Sequence, residues 1–318
     1  MAQFDLPVRE LATYSPAIPE PADFDEFWRS TLAGAADHDL AASFTPYDAL
    51  LPEVRVFDVR FAGFAGQPVA GWFLTPASGS GPRPCVVNYI GYGGGRGRPH
   101  EWLVWPAAGY SVLVMDSRGQ GDGDTDDLPG VGPQHKGLIT RGVLDPADYY
   151  YRRLFTDAVR AVDAARTRPE VDPARVVVAG ASQGGAITQA VAGLRTDLAG
   201  ALIDVPFLTH FRRATEITDA YPYRELSDMM QVNRDKVDQV FETLAYFDGL
   251  HFAARGAAPA LYTVGLMDDI CPPSTVYAAY NRYAGPKQLQ VWPYNGHESG
   301  ATFQPSVNLR WLRDLFAG

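Results

Sequence analysis

The sequence has little of three features that mark other classes of protein. It contains two cysteines, Cys85 and Cys271, in 318 residues, too few for the disulfide framework of a small secreted domain. Its apolar runs stay well short of the ~18 residues of a membrane span, and the densest, 176–181, has the length of a strand. Basic residues are outnumbered, since 27 Lys and Arg against 37 Asp and Glu give a net charge of −10. We therefore expect neither a nucleic acid nor a membrane as partner.

The residues that are present indicate one large globular domain. A hydrophobic content of 46% and an aromatic content of 12% are typical of a chain with a substantial core. We expect a single domain over 1–318, with an N-terminal arm and helix over 1–50 and a helical insertion over 206–258. The first residues lack the basic and apolar segments of a secretory signal, so we also expect a cytoplasmic location.

Hydrophobic patterning predicts a mostly parallel sheet flanked by helices. Alternating apolar residues predict an antiparallel hairpin over 54–75, after which strand-length and helix-length segments alternate. A helix is expected over 23–36, and another is expected to start at Asp145, as its N-cap, with Pro146 in its first turn. The prolines of 1–22 predict an extended arm, and the insertion should hold helical stretches at 209–218 and 233–246. The expected parallel strands are 85–90, 112–115, 176–179, 201–204, 260–264 and 289–292.

A G-x-S-x-G motif stands between a predicted strand and a predicted helix. Its residues are Gly180, Ser182 and Gly184. In a nucleophile elbow the serine occupies a strained turn, so small neighbours are needed for close backbone approach. The motif alone could be a tight turn with an inert serine, but its position after a β-branched strand and before a helix favours a catalytic nucleophile.

A serine triad on such a fold has the chain order Ser, acid, His. Of the six histidines, three precede Ser182 and two more lie in the predicted insertion, which leaves His297, after the last predicted strand, as the expected base. The acid should follow strand 260–264, because ligands gather at the carboxyl ends of parallel strands. Asp268 fits best, although spacing alone does not exclude the adjacent Asp269, and an aspartate here could instead cap a helix.

The remaining parts of the predicted site are backbone donors. An oxyanion hole on this fold uses the N–H of the residue after the nucleophile, here Gln183, and one from a loop after an earlier strand. The glycine-rich loop 91–95 follows strand 85–90, and the Tyr92 N–H is our candidate. His297-Glu298 lacks the second histidine of a H-E-x-x-H zinc site, so we expect no metal and no other cofactor.

Three motifs occur in chain order, and two of them contain the candidate nucleophile and base. They are Arg118-Gly119-Gln120 after a strand, Gly180-x-Ser182-Gln183-Gly184 at the elbow and His297-Glu298 near the end, with the segments 204–213 and 265–275 between. Together they resemble carbohydrate esterase family 7, the acetyl xylan esterases and cephalosporin C deacetylases. The resemblance extends from about residue 10 to the C-terminus.

The resemblance implies an α/β-hydrolase fold and a serine esterase that removes acetyl groups from short oligosaccharides and from cephalosporin C. It implies the triad Ser182, Asp268 and His297, and so favours Asp268 over Asp269. It also implies oxyanion donors at the backbones of Tyr92 and Gln183 and a homo-oligomer, a ring-like hexamer. We expect a mainly structural, supporting role for Arg118, Gln120 and Glu298.

The sequence departs from the family pattern in two places. Ile90 stands where the family usually has a histidine, and the aspartate-rich stretch 121–135 is shorter than usual, which bears on substrate preference.

Two other functions remain as alternatives. A serine peptidase related to prolyl oligopeptidases would usually need a large gating domain, for which the chain is too short. A non-catalytic oligomeric binding protein would need a broken site, whereas all three triad positions are filled.

Overall fold

A nine-stranded sheet organises the described part of the chain. A computed structural model describes residues 2–79, 81–128 and 134–317. The strands are β1 (Ser43–Tyr47), β2 (Val54–Ala62), β3 (Pro68–Pro76), β4 (Arg83–Tyr89), β5 (Ser111–Met115), β6 (Val171–Ala181), β7 (Gly200–Asp204), β8 (Ala260–Gly265) and β9 (Lys287–Trp292). The helices are α1 (Val8–Leu11), α2 (Phe24–Ala36), α3 (Val104–Ala107), α4 (Tyr150–Arg166), α5 (Gln183–Leu194), α6 (Phe211–Ile217), α7 (Tyr223–Val232), α8 (Val237–Ala245), α9 (Gly249–Ala253), α10 (Pro273–Arg282) and α11 (Gln304–Ala317).

The strand order is β1-β2-β3-β5-β4-β6-β7-β8-β9. The pairs from β1 to β5 are antiparallel, and every pair from β5 to β9 is parallel. The predicted hairpin and the predicted parallel strands are therefore confirmed. Strand β1 was not predicted, because this mostly exposed edge strand lacks the alternation of apolar and polar residues that marks a half-buried strand.

Helices cover both faces of the parallel strands, which explains their continuous apolar runs. Val87 and Val178 point into a core formed with α2, α4, α5, α9 and α10. Val86 and Val177, their neighbours along the strands, point into a smaller core that contains Trp311 of α11. The period-two alternation thus supplies two hydrophobic cores from the same strands. Within the described residues, no helix is long and apolar enough to cross a membrane.

The predicted start of the long helix is wrong. Helix α4 begins at Tyr150, with Tyr149 in extended backbone before it, rather than at Asp145. The Asp145 carboxylate instead accepts from the Ala147 N–H at 2.7 Å, and Asp148 N donates to the Asp145 carbonyl at 3.1 Å, which closes a turn around Pro146. Aspartate and proline start turns as readily as helices, so the motif is ambiguous without the fold.

The arm and the insertion contain more helix than the sequence indicated. The arm includes the single turn α1, and the Asn281 side chain of α10 donates to the carbonyls of Leu11 and Tyr14 at 3.0 and 2.9 Å. In the insertion, the stretches predicted at 209–218 and 233–246 contain α6 and α8, whereas α7 and α9 were not predicted. Helix α7 carries Glu225, whose carboxylate accepts from the hydroxyl of the predicted site residue Tyr92.

Candidate active site

Ser182 lies at the sharp turn between β6 and α5. Its backbone has φ 59° and ψ −119°, a conformation that L-residues rarely adopt. A Cβ added to Gly180 would lie 2.5 Å from the Gly184 backbone, and one added to Gly184 would lie 2.4 Å from the Tyr89 carbonyl. The glycines of the motif are therefore required by contact, and the serine is held in a strained conformation at the carboxyl end of the strand.

Asp268 and His297 meet at the same edge of the sheet. The Asp268 Oδ2 and His297 Nδ1 atoms are 3.0 Å apart, and Asp268 Oδ1 accepts from the N–H groups of Ile270 and Cys271, both at 2.9 Å. Asp268 is fully buried, whereas a quarter of the His297 side chain is exposed. Because a carboxylate only accepts, we assign the proton of this bond to Nδ1, which leaves Nε2 free to accept a proton. Asp269 makes no such contact with His297.

No described hydrogen bond joins Ser182 to His297. The Ser182 hydroxyl lies beside the thiol of Cys271, whose pKa is raised well above its ordinary value, chiefly by burial. The ligand atoms of Asp268, Cys271 and His297 lie within 4.8 Å of one another. Ser182 and His297 are thus both neighbours of Cys271. Catalytic hydrogen bonds are often long before substrate binds, so the missing bond does not argue against a serine and histidine pair.

This group is also the one candidate metal centre in the described part of the chain. Both carboxylate oxygens of Asp268 already accept hydrogen bonds, and burial disfavours the Cys271 thiolate that a metal would need. The donors present are therefore better matched to proton transfer than to a metal ion.

The two predicted oxyanion donors lie in neighbouring loops. Within the described residues, the backbone N–H groups of Tyr92 and Gln183 donate to no protein acceptor. Gln120 links the two loops, because its Oε1 accepts from Gly93 N at 2.7 Å and its Nε2 donates to Gln183 Oε1 at 2.9 Å. The Gln183 side chain also donates to the Ile90 carbonyl at 3.1 Å, a bond that does not depend on the side chain at position 90. The backbones that carry the two donors are thus fixed relative to each other.

Arg118 is linked to Gln120 through the Tyr150 hydroxyl. Its guanidinium is fully buried and pairs with the equally buried Asp157 through bonds of 2.6 and 2.8 Å. The Arg118 carbonyl accepts from the Tyr150 hydroxyl at 2.7 Å, and that hydroxyl in turn accepts from Gln120 Nε2 at 2.7 Å. Arg118 therefore contacts the site only through other groups.

We expect replacement of Asp157 by Asn to cost about 3 kcal/mol of unfolding free energy, because it leaves a buried guanidinium without its bidentate partner. Chemical denaturation measures the loss. The matched control is Asp163→Asn, which removes a 2.8 Å pair with Arg195 whose carboxylate is 45% exposed and should cost less than about 1 kcal/mol. Equal losses in the two variants would contradict the importance of the buried pair.

Glu298 stays outside the site. Its carboxylate is exposed and accepts from Asn295 Nδ2 at 3.0 Å and from Gly296 N at 3.1 Å, and the Asn295 contact is the largest cause of its lowered pKa. These bonds close the loop that presents His297. The predicted effect of stretch 121–135 falls partly on 129–133, which lie outside the described residues.

Sequence reasoning missed three residues that contact the predicted site residues. Tyr151 donates to Gln183 Oε1 at 2.9 Å, and Tyr92 donates to Glu225 of α7 at 3.0 Å, while Asp204, the last residue of β7, accepts from the Ser182 N–H through its backbone carbonyl. Burial raises the pKa of Asp204 to about 6. The run of three tyrosines at 149–151 was a signal for the first, but no local pattern indicates the other two.

Comparison with known proteins gives a consistent result. A family model described as acetyl xylan esterase matches residues 1–315. The acetyl esterase Axe7A of Xylanibacter ruminicola is 28% identical over 292 residues, which make up 89% of this chain and 64% of that protein. The chain thus spans slightly less than two thirds of that relative.

Solved structures agree. An acetyl xylan esterase from Paenibacillus sp. R4 is 39% identical with a TM-score of 0.91, over 97% of this chain and 99% of that one. Acetyl xylan esterase 1 from Thermoanaerobacterium sp. JW/SL YS485 is 32% identical with a TM-score of 0.91, over 98% and 100%.

A more distant structure, the alpha/beta hydrolase GrgF from Penicillium sp. sh18, is 16% identical with a TM-score of 0.59 and shows the fold alone. The predicted α/β-hydrolase fold is confirmed by these structures together with the sheet order. With a family match over nearly all of its length and solved relatives above 30% identity, the chain belongs to the acetyl xylan esterase family.

Proposed function

We propose that the chain is a metal-independent serine esterase that removes acetyl groups from short acetylated xylooligosaccharides, with cephalosporin C as a further substrate. The observation that carries the proposal is the buried Asp268 carboxylate held 3.0 Å from His297 Nδ1, beside a serine at φ 59°. Family membership supports the acetyl ester as substrate class. We assign Ser182, Asp268 and His297 as the triad.

In the first half of the proposed reaction, Ser182 Oγ attacks the acetyl carbonyl carbon while His297 Nε2 accepts the hydroxyl proton. Asp268 stabilises the imidazolium that forms and keeps its orientation. The negative charge that develops on the carbonyl oxygen is met by the N–H groups of Tyr92 and Gln183, which have no other described acceptor.

Collapse of this intermediate breaks the bond to the sugar oxygen, and His297 donates its proton to that oxygen. An acetyl-enzyme on Ser182 remains. His297 then accepts a proton from water, the water oxygen attacks the acetyl carbon, and acetate leaves as Ser182 regains its proton. The overall balance consumes one water for each acetyl group and needs no cofactor.

We expect activity to collapse between acetate and butyrate esters of one alcohol, because an enzyme for acetyl groups needs only a small acyl site. A measurement of kcat/KM for 4-nitrophenyl acetate, propionate and butyrate checks this. Similar rates on acetate and butyrate would contradict the acetyl assignment and favour a general small-ester hydrolase.

The alcohol side of the substrate needs a separate panel. Release of acetate from acetylated xylooligosaccharides, acetylated monosaccharides and cephalosporin C, measured at equal concentrations, would identify the preferred class. The family resemblance also supports a homohexamer, which light scattering of the purified protein tests. A cytoplasmic location is a separate proposal, which cell fractionation tests.

A further inference from the structure

Helix α7 of the insertion reaches the proposed oxyanion loop through one carboxylate. Glu225 Oε2 accepts from the Tyr92 hydroxyl at 3.0 Å and from Gly137 N at 2.8 Å. Its other oxygen, Oε1, is buried and has no partner among the described residues. One carboxylate oxygen therefore joins three separate segments of the chain: α7, the glycine-rich loop and the segment around residue 137.

The Tyr92 hydroxyl is held from every side. Besides donating to Glu225, it accepts from the N–H groups of Leu138 and Ile139 at 2.9 and 3.2 Å. The Tyr92 ring meets the edge of Phe207, with 6.1 Å between ring centroids. All the hydrogen-bonding capacity of the phenol is thus used by the protein, and none is left for a substrate.

The backbone of Tyr92 is held at its other side as well. The next residue, Gly93, donates its N–H to Gln120 at 2.7 Å. Tyr92 therefore spans two anchors, with its ring fixed by Glu225 and the following amide fixed by Gln120. Its own N–H lies between these anchors, so the two anchors together determine where that donor points.

We propose that Glu225 is a positioning residue for the oxyanion hole: by holding the Tyr92 phenol, it holds the Tyr92 N–H at the site of the developing negative charge. The inference rests on the proposed function, since it takes Tyr92 N–H as an oxyanion donor. In this role Glu225 acts on the donor through its bond to the Tyr92 hydroxyl and not on the reacting atoms. The helical insertion then contributes to the chemical step through Glu225 of α7.

The test compares Glu225→Ala with Glu225→Gln and Tyr92→Phe. Loss of an oxyanion donor costs ~100- to 1000-fold in kcat, and a displaced donor costs less, so we expect Glu225→Ala to lower kcat on 4-nitrophenyl acetate roughly 10- to 100-fold. KM should change little, because the donor acts on the transition state. Glu225→Gln should recover most of the activity, since one amide oxygen can accept both bonds.

Three controls separate positioning from loss of folded protein. Rates are expressed per active site titrated with a fluorophosphonate, so an unfolded fraction does not count. Methylboronic acid, which forms a tetrahedral adduct with serine, should inhibit Glu225→Ala more weakly by a factor close to the fall in kcat. Asp228→Ala, which removes the 2.7 Å surface pair with Arg224 on the same helix, should leave kcat and boronate affinity unchanged.

Tyr92→Phe should lower kcat by a similar factor, and the double variant with Glu225→Ala should fall no further, since the two groups act as one unit. The inference is overturned if Glu225→Ala keeps wild-type kcat per titrated site. It is also overturned if KM rises by as large a factor as kcat falls while the affinity for the boronate is unchanged. Failure of the proposed function would give a different result, because the wild-type protein itself would then not hydrolyse the acetate ester.

Discussion

Replacing Ser182 with alanine should abolish ester hydrolysis, with a fall in kcat of roughly a million-fold. No other described hydroxyl lies at this strained turn between a strand and a helix beside the Asp268 and His297 pair. Alanine also has a Cβ, so it meets the same backbone strain at φ 59° that serine does. The variant should therefore fold as the wild type does, and its thermal unfolding should show this.

A fluorophosphonate probe gives the clearest measurement, because only an activated serine reacts with it. The wild-type protein should be labelled stoichiometrically and Ser182→Ala should not be labelled. Ser111→Ala, which alters a buried serine of β5 that hydrogen-bonds to Thr75 at 2.9 Å, should remain labelled and active. Labelling of Ser182→Ala would assign the chemistry to another serine, and an unlabelled wild type would favour a non-catalytic binding protein.

Asp268→Asn should lower kcat about 10,000-fold while leaving the fold intact. Oδ1 accepts from two backbone N–H groups, from Ile270 and Cys271, so the asparagine oxygen is expected to take that position. The asparagine NH₂ then faces His297 Nδ1 as a donor. Nδ1 must become the acceptor and the ring proton moves to Nε2, which can no longer accept a proton from Ser182.

Asp269→Asn is the matched control for this prediction. Asp269 is the adjacent residue of the same chemistry, and its carbonyl, which is unchanged by the substitution, is the group that accepts from Thr218. Its variant should keep kcat within a few-fold of the wild type in the same ester assay. The assignment of the acid would have to be reversed if Asp269→Asn lost activity and Asp268→Asn kept it.

Sequence reasoning succeeded where the signal is local. The glycines that flank Ser182 are required by close backbone contacts, and the apolar runs of the parallel strands follow from burial on both faces. The chain order expected of a triad left three histidines, and two of these lie in the predicted insertion, so His297 remained as the predicted base. The G-x-S-x-G spacing, the continuous apolar runs and the chain order are all visible in the sequence, so they are readable without coordinates.

The remaining features depend on pairs of residues that are far apart in the chain. Glu225 and Tyr92 are 133 residues apart in the chain, and nothing near either residue indicates that they are in contact. The start of α4 was misjudged because Asp145 and Pro146 form a turn before the helix, and the same two residue types also mark helix starts. Spacing left Asp268 and Asp269 open, whereas the geometry separates them clearly.

The backbone conformation of Ser182 depends on residues that are synthesised after it. Its N–H donates to the Asp204 carbonyl at 3.0 Å, and its carbonyl accepts from Phe207 N at 3.0 Å. Both partners are synthesised after the serine, and a residue at positive φ persists only where its surroundings hold it. A nascent chain that has not yet added β7 to the sheet lacks both of these bonds, so we expect its serine to relax from this conformation. Reactivity toward a fluorophosphonate would then mark completed folding, and the unfinished chain would have no activated nucleophile to expose to the cell.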